Sequence, residues 1–319
     1  MVLLLLAGCL LMVEVAARIY LSATFHVGFF APRDFIYTYY PSLKTTLDAP
    51  ERDDTFDVLI LGPSVLAPIA EWGAFDSHLQ KLVPDRVRLF NLSTPAHTSL
   101  DSLTKYRLLE DRSFDLVIVY HGINDLRADA CAPETFRADY THMLHYEVLD
   151  EYRTHPEASW VAFPFATALF SDIVRLKVAW DPQAALRDHG PQLKTPPSFR
   201  HNLSEILDLA NARGEEVLLC SFAFHVPGDY SLEKFKAHEL DYGAHKSEIE
   251  LWGLPNKIVA GLEAHEQVVR DLHDAHPDVH FLDARRLLPG GAERFDDICH
   301  LTPAALATLA ARMAEFITP

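Results

Sequence analysis

Four residues in three separate blocks have the side chains needed for covalent hydrolysis of an acyl bond. They are Ser64, Asn124, Asp297 and His300. A serine hydroxyl is a weak nucleophile until a base takes its proton, and histidine held in one tautomer by a carboxylate is the natural base. The amide of Asn124 can donate to the oxyanion that forms on an attacked carbonyl. These residue types predict a Ser64–His300–Asp297 triad with Asn124 as an oxyanion donor.

Each block also has a purely structural interpretation. Ser64 follows a strand-like run and could cap the next helix. Asn124 and Asp125 could form a simple turn. The pair Asp297 and His300 could be a capping aspartate beside a surface histidine. The catalytic interpretation therefore requires that the fold bring the three blocks together.

The elements around these blocks predict a parallel sheet. Asp57–Leu61 reads as a buried strand that Gly62 and Pro63 interrupt. Further strands are predicted at 86–92, 114–120, 216–222 and 279–283, and helices at 69–82, 99–109, 132–150, 199–213, 256–273 and 303–317. Alternation of strands and helices with short connections predicts an α/β fold with a five-stranded parallel sheet. The three blocks follow its first, third and fifth strands, where working residues of such sheets lie.

Composition excludes several classes of partner. The 319 residues carry a net charge of −17, which argues against nucleic acid and against an anionic membrane face. Four cysteines make no disulfide scaffold, and no Cys/His spacing suggests zinc. His142 and His145 form an HxxH pair, but the chain has 17 histidines and such spacings arise by chance. We expect no metal and no cofactor.

Residues 1–25 form a hydrophobic segment. Met1 to Val13 are apolar or small, and Glu14 and Arg18 follow. A spanning helix needs about 20 apolar residues. The segment favours a membrane anchor, while a cleaved signal or lipoprotein leader (around Cys9) and a buried helix remain alternatives. An anchor would leave the acidic body outside the cytoplasm, although a basic flank that would set this orientation is missing.

The rest of the chain divides into a connector over 26–55 and one catalytic domain over 56–319. Insertions are predicted at about 150–197 and 224–255. The apolar run 160–180 contains Pro164 and Asp172, which argue against a second membrane span. Several side chains near the second insertion could line a pocket or pack in the core: Phe222, Phe224, His225, Tyr230 and Tyr242.

Taken together, Gly62-x-Ser64, Gly122-x-Asn124-Asp125 and Asp297-x-x-His300 resemble the SGNH (GDSL-type) hydrolase superfamily, especially its N-terminally membrane-anchored bacterial members. The resemblance covers about residues 55–317, and the second of these blocks is the most specific match. It implies a flavodoxin-like, three-layer α/β/α fold. It also implies Ser64 as nucleophile, His300 as general base and Asp297 as its orienting partner. The oxyanion hole would then be formed by Asn124 and the backbone N–H of Ser64.

Two departures from the family pattern stand out. The first block is Gly-Pro-Ser-Val rather than Gly-Asp-Ser-Leu, and Ala96 stands where the family has an oxyanion-hole glycine. Alanine keeps its N–H, but a positive φ would cost it about 1–2 kcal/mol. A Gly-x-Ser-x-Gly elbow is absent, because Val65 and Leu66 follow Ser64, and this argues against an α/β-hydrolase.

The leading hypothesis is a serine esterase or deacylase acting on a small ester or an acylated glycan. The same triad could instead transfer an acyl group to a cell-envelope glycan. A third possibility is a catalytically weak carbohydrate-binding relative, because Ala96 replaces the family glycine. The sequence determines neither the substrate nor the oligomeric state.

Overall fold

Five parallel strands form the central sheet of the protein, here seen in a computed structural model. The structure describes residues 2–25, 27–30, 34, 36–50, 52, 54–143, 146–147, 149 and 192–319. The strands are β1 (Phe56–Leu61), β2 (Val87–Asn91), β3 (Leu116–Tyr120), β4 (Glu216–Cys220) and β5 (His280–Leu282). Their order is β2-β1-β3-β4-β5 and every neighbouring pair is parallel. This is the flavodoxin-like order, so the predicted fold class is confirmed.

Ten α-helices occur in the described residues. They are α1 (Val2–Phe25), α2 (Ile36–Tyr39), α3 (Pro41–Leu47), α4 (Phe75–Leu79), α5 (Ser99–Arg107), α6 (Thr195–Arg213), α7 (Leu232–Lys236), α8 (Pro255–Ala275), α9 (Ala284–Leu287) and α10 (Pro303–Ala314). Short 3₁₀ turns lie at Ser64–Leu66, Ala70–Trp72, Asn124–Asp129, Pro133–Thr135 and Ile249–Leu251.

The helices around the sheet form two layers. The chain runs from β1 outward to β2, then back across β1 to β3, β4 and β5. Right-handed crossovers therefore place α4 on one face and α5, α6 and α8 on the other. The packing agrees, because α5 contacts α6 and α6 contacts α8, while α4 contacts α10. The connections leave in opposite directions from β1 and β3, so a crevice forms at their carboxyl ends.

Several predicted elements differ from the observed ones. The predicted helix over 69–82 is wrong, because Gly73 adopts φ 96° and separates the turn Ala70–Trp72 from α4. The helix predicted over 132–150 is wrong for 132–143, which form a short 3₁₀ turn and further turns. The predicted loop after β5 begins with α9. The predicted run 160–180 and most of the insertion at 150–197 lie outside the described residues.

The chain divides into two compact units. One contains Met1–Asp48 and Arg137–Pro182, and the other contains Ala49–Phe136 and Gln183–Pro319. The sheet and all three sequence blocks belong to the second unit. In the first unit, α2 and α3 lie within the connector predicted over 26–55.

Helix α1 is long and apolar enough to cross a membrane. Its segment Leu4–Thr24 has a mean hydropathy of 2.0, and most of its apolar side chains are exposed. The charged pair within it is mutually neutralised, since Arg18 Nε donates to Glu14 at 2.7 Å. These properties are consistent with the predicted anchor and with a signal sequence.

Candidate active site

Ser64 lies at the carboxyl end of β1, as the first residue of the turn Ser64–Leu66. The residue before it, Pro63, occupies the cap position, and no side chain caps this turn. The alternative that Ser64 caps a helix is therefore wrong. Its Oγ lies 2.8 Å from Nε2 of His300, which is 236 residues away in sequence.

A tight loop after β5 carries His300 and Asp297. Phe295 and Leu301 form an isolated antiparallel bridge that closes this loop. Asp297 Oδ1 accepts the backbone N–H groups of Cys299 at 2.9 Å and His300 at 2.8 Å. Its other oxygen, Oδ2, lies 2.6 Å from His300 Nδ1. The loop thus holds the carboxylate in hydrogen-bonding contact with the imidazole.

The tautomer of His300 follows from its neighbours. A carboxylate only accepts hydrogen bonds, so Nδ1 is protonated and its N–H group donates to Asp297. Nε2 then presents a lone pair to the hydroxyl of Ser64. Asp297 is 0% exposed, and its three hydrogen bonds replace the water that its charge would otherwise need.

An aromatic side chain covers the imidazole. The ring of Trp72 stacks on His300 with centroids 4.0 Å apart and an interplanar angle of 22°. Lys246 Nζ lies 5.6 Å from the Trp72 ring centroid and pairs with Asp296 at 2.8 Å. Trp72 lies in the segment that sequence predicted as a helix, and Lys246 lies in the predicted insertion 224–255. No pattern in the sequence marked Trp72 or Lys246 as part of the site.

Asn124 lies at the carboxyl end of β3, and two neighbours fix its amide. Trp252 Nε1 donates to Asn124 Oδ1 at 2.9 Å, and Asn124 Nδ2 donates to the carbonyl of His97 at 2.9 Å. An indole N–H only donates and a carbonyl only accepts, so both contacts require the same amide orientation. The amide nitrogen carries a second hydrogen, which the contact with His97 leaves unused. Nothing in the sequence marked Trp252, because its role depends on a loop returning to β3.

Ala96 lies in the loop that joins β2 to α5. Its φ is 66°, in the left-handed region that disfavours side chains with a Cβ. This left-handed conformation costs alanine about 1–2 kcal/mol. The loop is tied to β1, because Thr94 N–H donates to the Gly62 carbonyl at 3.1 Å. It is tied to β3 through the contact between Asn124 and His97. Ala96 and Asn124 therefore stand on adjoining loops.

The residue after Asn124 has a structural role. Asp125 is buried and accepts both the backbone N–H and the hydroxyl of Ser99 at the start of α5. Asn202 of α6 donates to the same hydroxyl at 2.9 Å. Gly122 is required by close approach, because a Cβ there would lie 2.5 Å from the Phe222 ring. These contacts hold the block that follows β3 against the helices.

The aromatic residues predicted to line either a pocket or the core divide between the two. Phe222 and Tyr242 are buried in the core. Phe224, His225 and Tyr230 border an open cavity of about 630 Å³ that also reaches Arg285. This cavity lies beyond β4, and the backbone N–H of His225 donates to the carbonyl of Ile298, in the loop that carries His300, at 2.9 Å.

Three side chains of the loop could in principle ligate a cation. Ligand atoms of Asp297, Cys299 and His300 lie within 4.8 Å of one another. Burial and the nearby Asp297 raise the pKa of the Cys299 thiol well above its usual value, so the thiol is a poor ligand. The carboxylate and the imidazole are already hydrogen-bonded to each other. The arrangement therefore fits proton transfer better than metal binding.

Comparison with known proteins gives structural neighbours. No family model and no curated protein matches this chain. Among solved structures, the chain is similar to a GDSL-like lipase from Bacteroides thetaiotaomicron, with 14% identity, a TM-score of 0.48 and coverage of 88% of this chain and 96% of that chain. It is also similar to an aryl esterase from M. smegmatis, with 15% identity, a TM-score of 0.44 and coverage of 82% and 98%. A third is an acetylxylan esterase from Geobacillus stearothermophilus, with 12% identity, a TM-score of 0.43 and coverage of 84% and 97%.

The first of these structures is described as GDSL-like, and GDSL-type hydrolases are the family that the three sequence blocks resemble. At these identities the likeness is one of fold alone. The fold itself is established by the strand order described above. The function proposed next rests on this chain's own residues.

Proposed function

We propose that this chain is a serine hydrolase that cleaves carboxylic esters through a Ser64–His300–Asp297 triad. One observation carries the proposal. A continuous hydrogen-bonded chain runs from Ser64 Oγ to His300 Nε2 at 2.8 Å and from His300 Nδ1 to Asp297 Oδ2 at 2.6 Å. Ser64 lies 236 residues from His300 in sequence, and the two meet at the carboxyl ends of the strands. This is the geometry that activates a hydroxyl for attack on a carbonyl.

The reaction proceeds in two steps. Ser64 Oγ attacks the ester carbonyl carbon while its proton passes to His300 Nε2. The tetrahedral adduct expels the alcohol, which takes the proton from His300, and leaves an acyl group on Ser64. Water then attacks this acyl group as His300 accepts its proton, and collapse releases the acid and restores the serine. Asp297 stabilises the imidazolium that forms twice in this cycle.

An oxyanion hole stabilises both tetrahedral adducts. We assign it to the backbone N–H groups of Ser64 and Ala96 and to the amide of Asn124. The fixed orientation of that amide supports its role as a donor. Removing one such donor typically lowers kcat by about 10²–10³-fold.

The test is substitution of the nucleophile. Ser64→Ala should lower kcat on a short-chain aryl ester by on the order of 10⁴–10⁶-fold, because no other group can form the acyl-enzyme. A fluorophosphonate probe should label the wild-type chain but not this variant. Ser77→Ala removes an exposed serine of α4 and is the matched control, which should keep both activity and labelling. Full activity in Ser64→Ala would exclude this mechanism.

The same triad supports a second function, the transfer of the acyl group to a glycan hydroxyl. Helix α1 favours this alternative, because an anchor would hold the site beside cell-envelope glycans. Product analysis with and without a sugar acceptor distinguishes the two reactions. If the acyl group reaches only water in the presence of acceptor, transfer is excluded.

The strained Ala96 favours a third candidate, a catalytically weak carbohydrate-binding relative. A correctly folded chain whose Ser64 the fluorophosphonate probe never labels would support it. Rapid labelling would exclude it.

We also place the sheet unit outside the cytoplasm, anchored through α1. Added protease should then digest this unit in cells with a permeabilised outer layer but an intact inner membrane. Full protection under those conditions would contradict the placement.

A further inference from the structure

Lys105 of α5 is a buried cation that the proposed mechanism does not use. Its side chain is 0% exposed. Its Nζ donates to the carbonyl of Leu92 at 2.5 Å and lies 3.2 Å from Nδ1 of His97. An ammonium only donates, so His97 Nδ1 is the acceptor in the second contact. A buried ammonium is costly unless its donors are satisfied, and these two acceptors, both from one loop, receive two of its three N–H bonds.

Both acceptors belong to the loop that carries Ala96. Leu92 begins the loop, and His97 directly follows Ala96, whose φ is 66°. The His97 carbonyl also accepts the amide of Asn124 at 2.9 Å. Lys105 thus holds the loop on either side of its strained residue. The same loop connects two of the three groups that we assign to the oxyanion hole, the Ala96 N–H and the Asn124 amide.

We propose that Lys105 is a positioning residue, whose ammonium keeps residues 92–97 in the conformation that presents the Ala96 N–H and the Asn124 amide to the oxyanion. This inference rests on the proposed function. Lys105 acts on these oxyanion donors through the loop. A family member with glycine at this position would need no such support, because glycine adopts positive φ without strain. Lys105 is therefore the compensation for alanine at position 96.

The charges facing Lys105 give this device a pH dependence. Asp101 lies on the same helix and favours the ammonium, while burial lowers the pKa of Lys105 to about 8. His121, from the loop after β3, has its pKa lowered to about 3 by burial and by Lys105, so it is neutral above that pH. His97 accepts from the ammonium. As pH rises through about 8, the two charge-assisted hydrogen bonds to the loop become ordinary ones and weaken.

Three variants test the inference through activity. Lys105→Met should lower kcat on the aryl ester by about 10- to 100-fold, with KM nearly unchanged, because the oxyanion donors are displaced while ground-state binding is kept. The same change made in an Ala96→Gly background should cost less, because glycine needs no support.

Lys105→Arg keeps its charge at all working pH, so the loss of kcat above about pH 8 expected in wild type should disappear. Lys81→Met removes an exposed lysine and should have no effect on kcat.

Hydrogen exchange provides a measurement that does not depend on catalysis. In Lys105→Met the amides of residues 92–98 should exchange faster than in wild type, while those of β3 stay protected. Unchanged exchange in this loop would overturn the inference even if the wild type hydrolysed no ester. An active wild type with unchanged kcat in Lys105→Met would also overturn it. Absence of wild-type activity together with faster loop exchange would instead count against the proposed function alone.

Discussion

Asp296 and Asp297 are neighbours in sequence, but their side chains have different partners. Asp297 is fully buried and holds Nδ1 of His300, whereas Asp296, which is also buried, forms an ion pair with Lys246 at 2.8 Å. The pattern Asp-x-x-His selected Asp297, which is the aspartate that contacts His300. The difference between the two carboxylates offers a matched pair of substitutions.

We predict that Asp297→Asn lowers kcat by about 10⁴-fold, because the amide favours the wrong tautomer of His300 while the loop geometry survives. The matched change Asp296→Asn alters an ion pair that does not include His300 and should leave kcat within a few-fold of wild type. Steady-state kinetics on the aryl ester measure both. Equal losses in the two variants would contradict the assignment of Asp297.

At the scale of elements, the segment 224–255 contributes side chains that contact residues at the carboxyl ends of the strands. This predicted insertion supplies Trp252, whose indole fixes the Asn124 amide, and Lys246, which contacts the Trp72 ring. Its position beside the site could be predicted from its composition. Its contacts could not, because they depend on the path by which the loop returns over β3.

Removing the indole donor tests this contribution of the loop. Trp252→Phe keeps most of the packing but leaves Asn124 Oδ1 without its N–H donor, and we expect kcat to fall about tenfold, in line with the loss of one hydrogen bond. Asn124→Ala should cost about 10²–10³-fold. Because the indole acts only through the amide, adding Trp252→Phe to Asn124→Ala should cost little more. Additive losses in the double variant would show that Trp252 acts in another way.

At the scale of the whole molecule, two histidines are buried in neutral form around the β3 block. Burial lowers the pKa of His265 to about 4 and that of His121 to about 3. His265 Nδ1 lies 2.9 Å from the Gly122 carbonyl, and His121 Nε2 lies 2.7 Å from the Ser102 hydroxyl. Both side chains therefore couple the protonation state of the chain to the stability of the block that carries Asn124.

This coupling predicts acid sensitivity. In the unfolded chain both histidines titrate near 6.5, so below that pH the unfolded state binds more protons than the folded one. The two histidines therefore do not lower the free energy of unfolding above about pH 6.5. The free energy of unfolding falls as pH drops towards about 4, where His265 alone accounts for a loss of about 3 kcal/mol. Denaturant unfolding at several pH values measures the loss.

His265→Gln should reduce this pH dependence, and His201→Gln, which changes an exposed histidine of α6, should not. A stability that stays constant from pH 7 to pH 4.5 in the wild type would refute the prediction.

The sequence by itself determined the strands, their parallel arrangement and the residue types of the three blocks. Local hydrophobic runs and turn residues are sufficient for that, because a strand buried on both faces needs a continuous apolar run. The segment 69–82 was predicted wrongly because its apolar spacing is helical, whereas Gly73 adopts a left-handed conformation against α10.

Only the tertiary structure decided which candidate residues meet. Ser64 and His300 approach although β5 is the far edge strand, because the segment after β5 returns to the carboxyl end of β1. Trp72, Trp252 and Lys105 carry no sequence signal, since a stacked ring, an indole donor and a buried ammonium are defined by contacts between distant segments. Ala96 combines both kinds of information. Its identity was visible in the sequence, but its positive φ and the lysine that supports it belong to the folded chain.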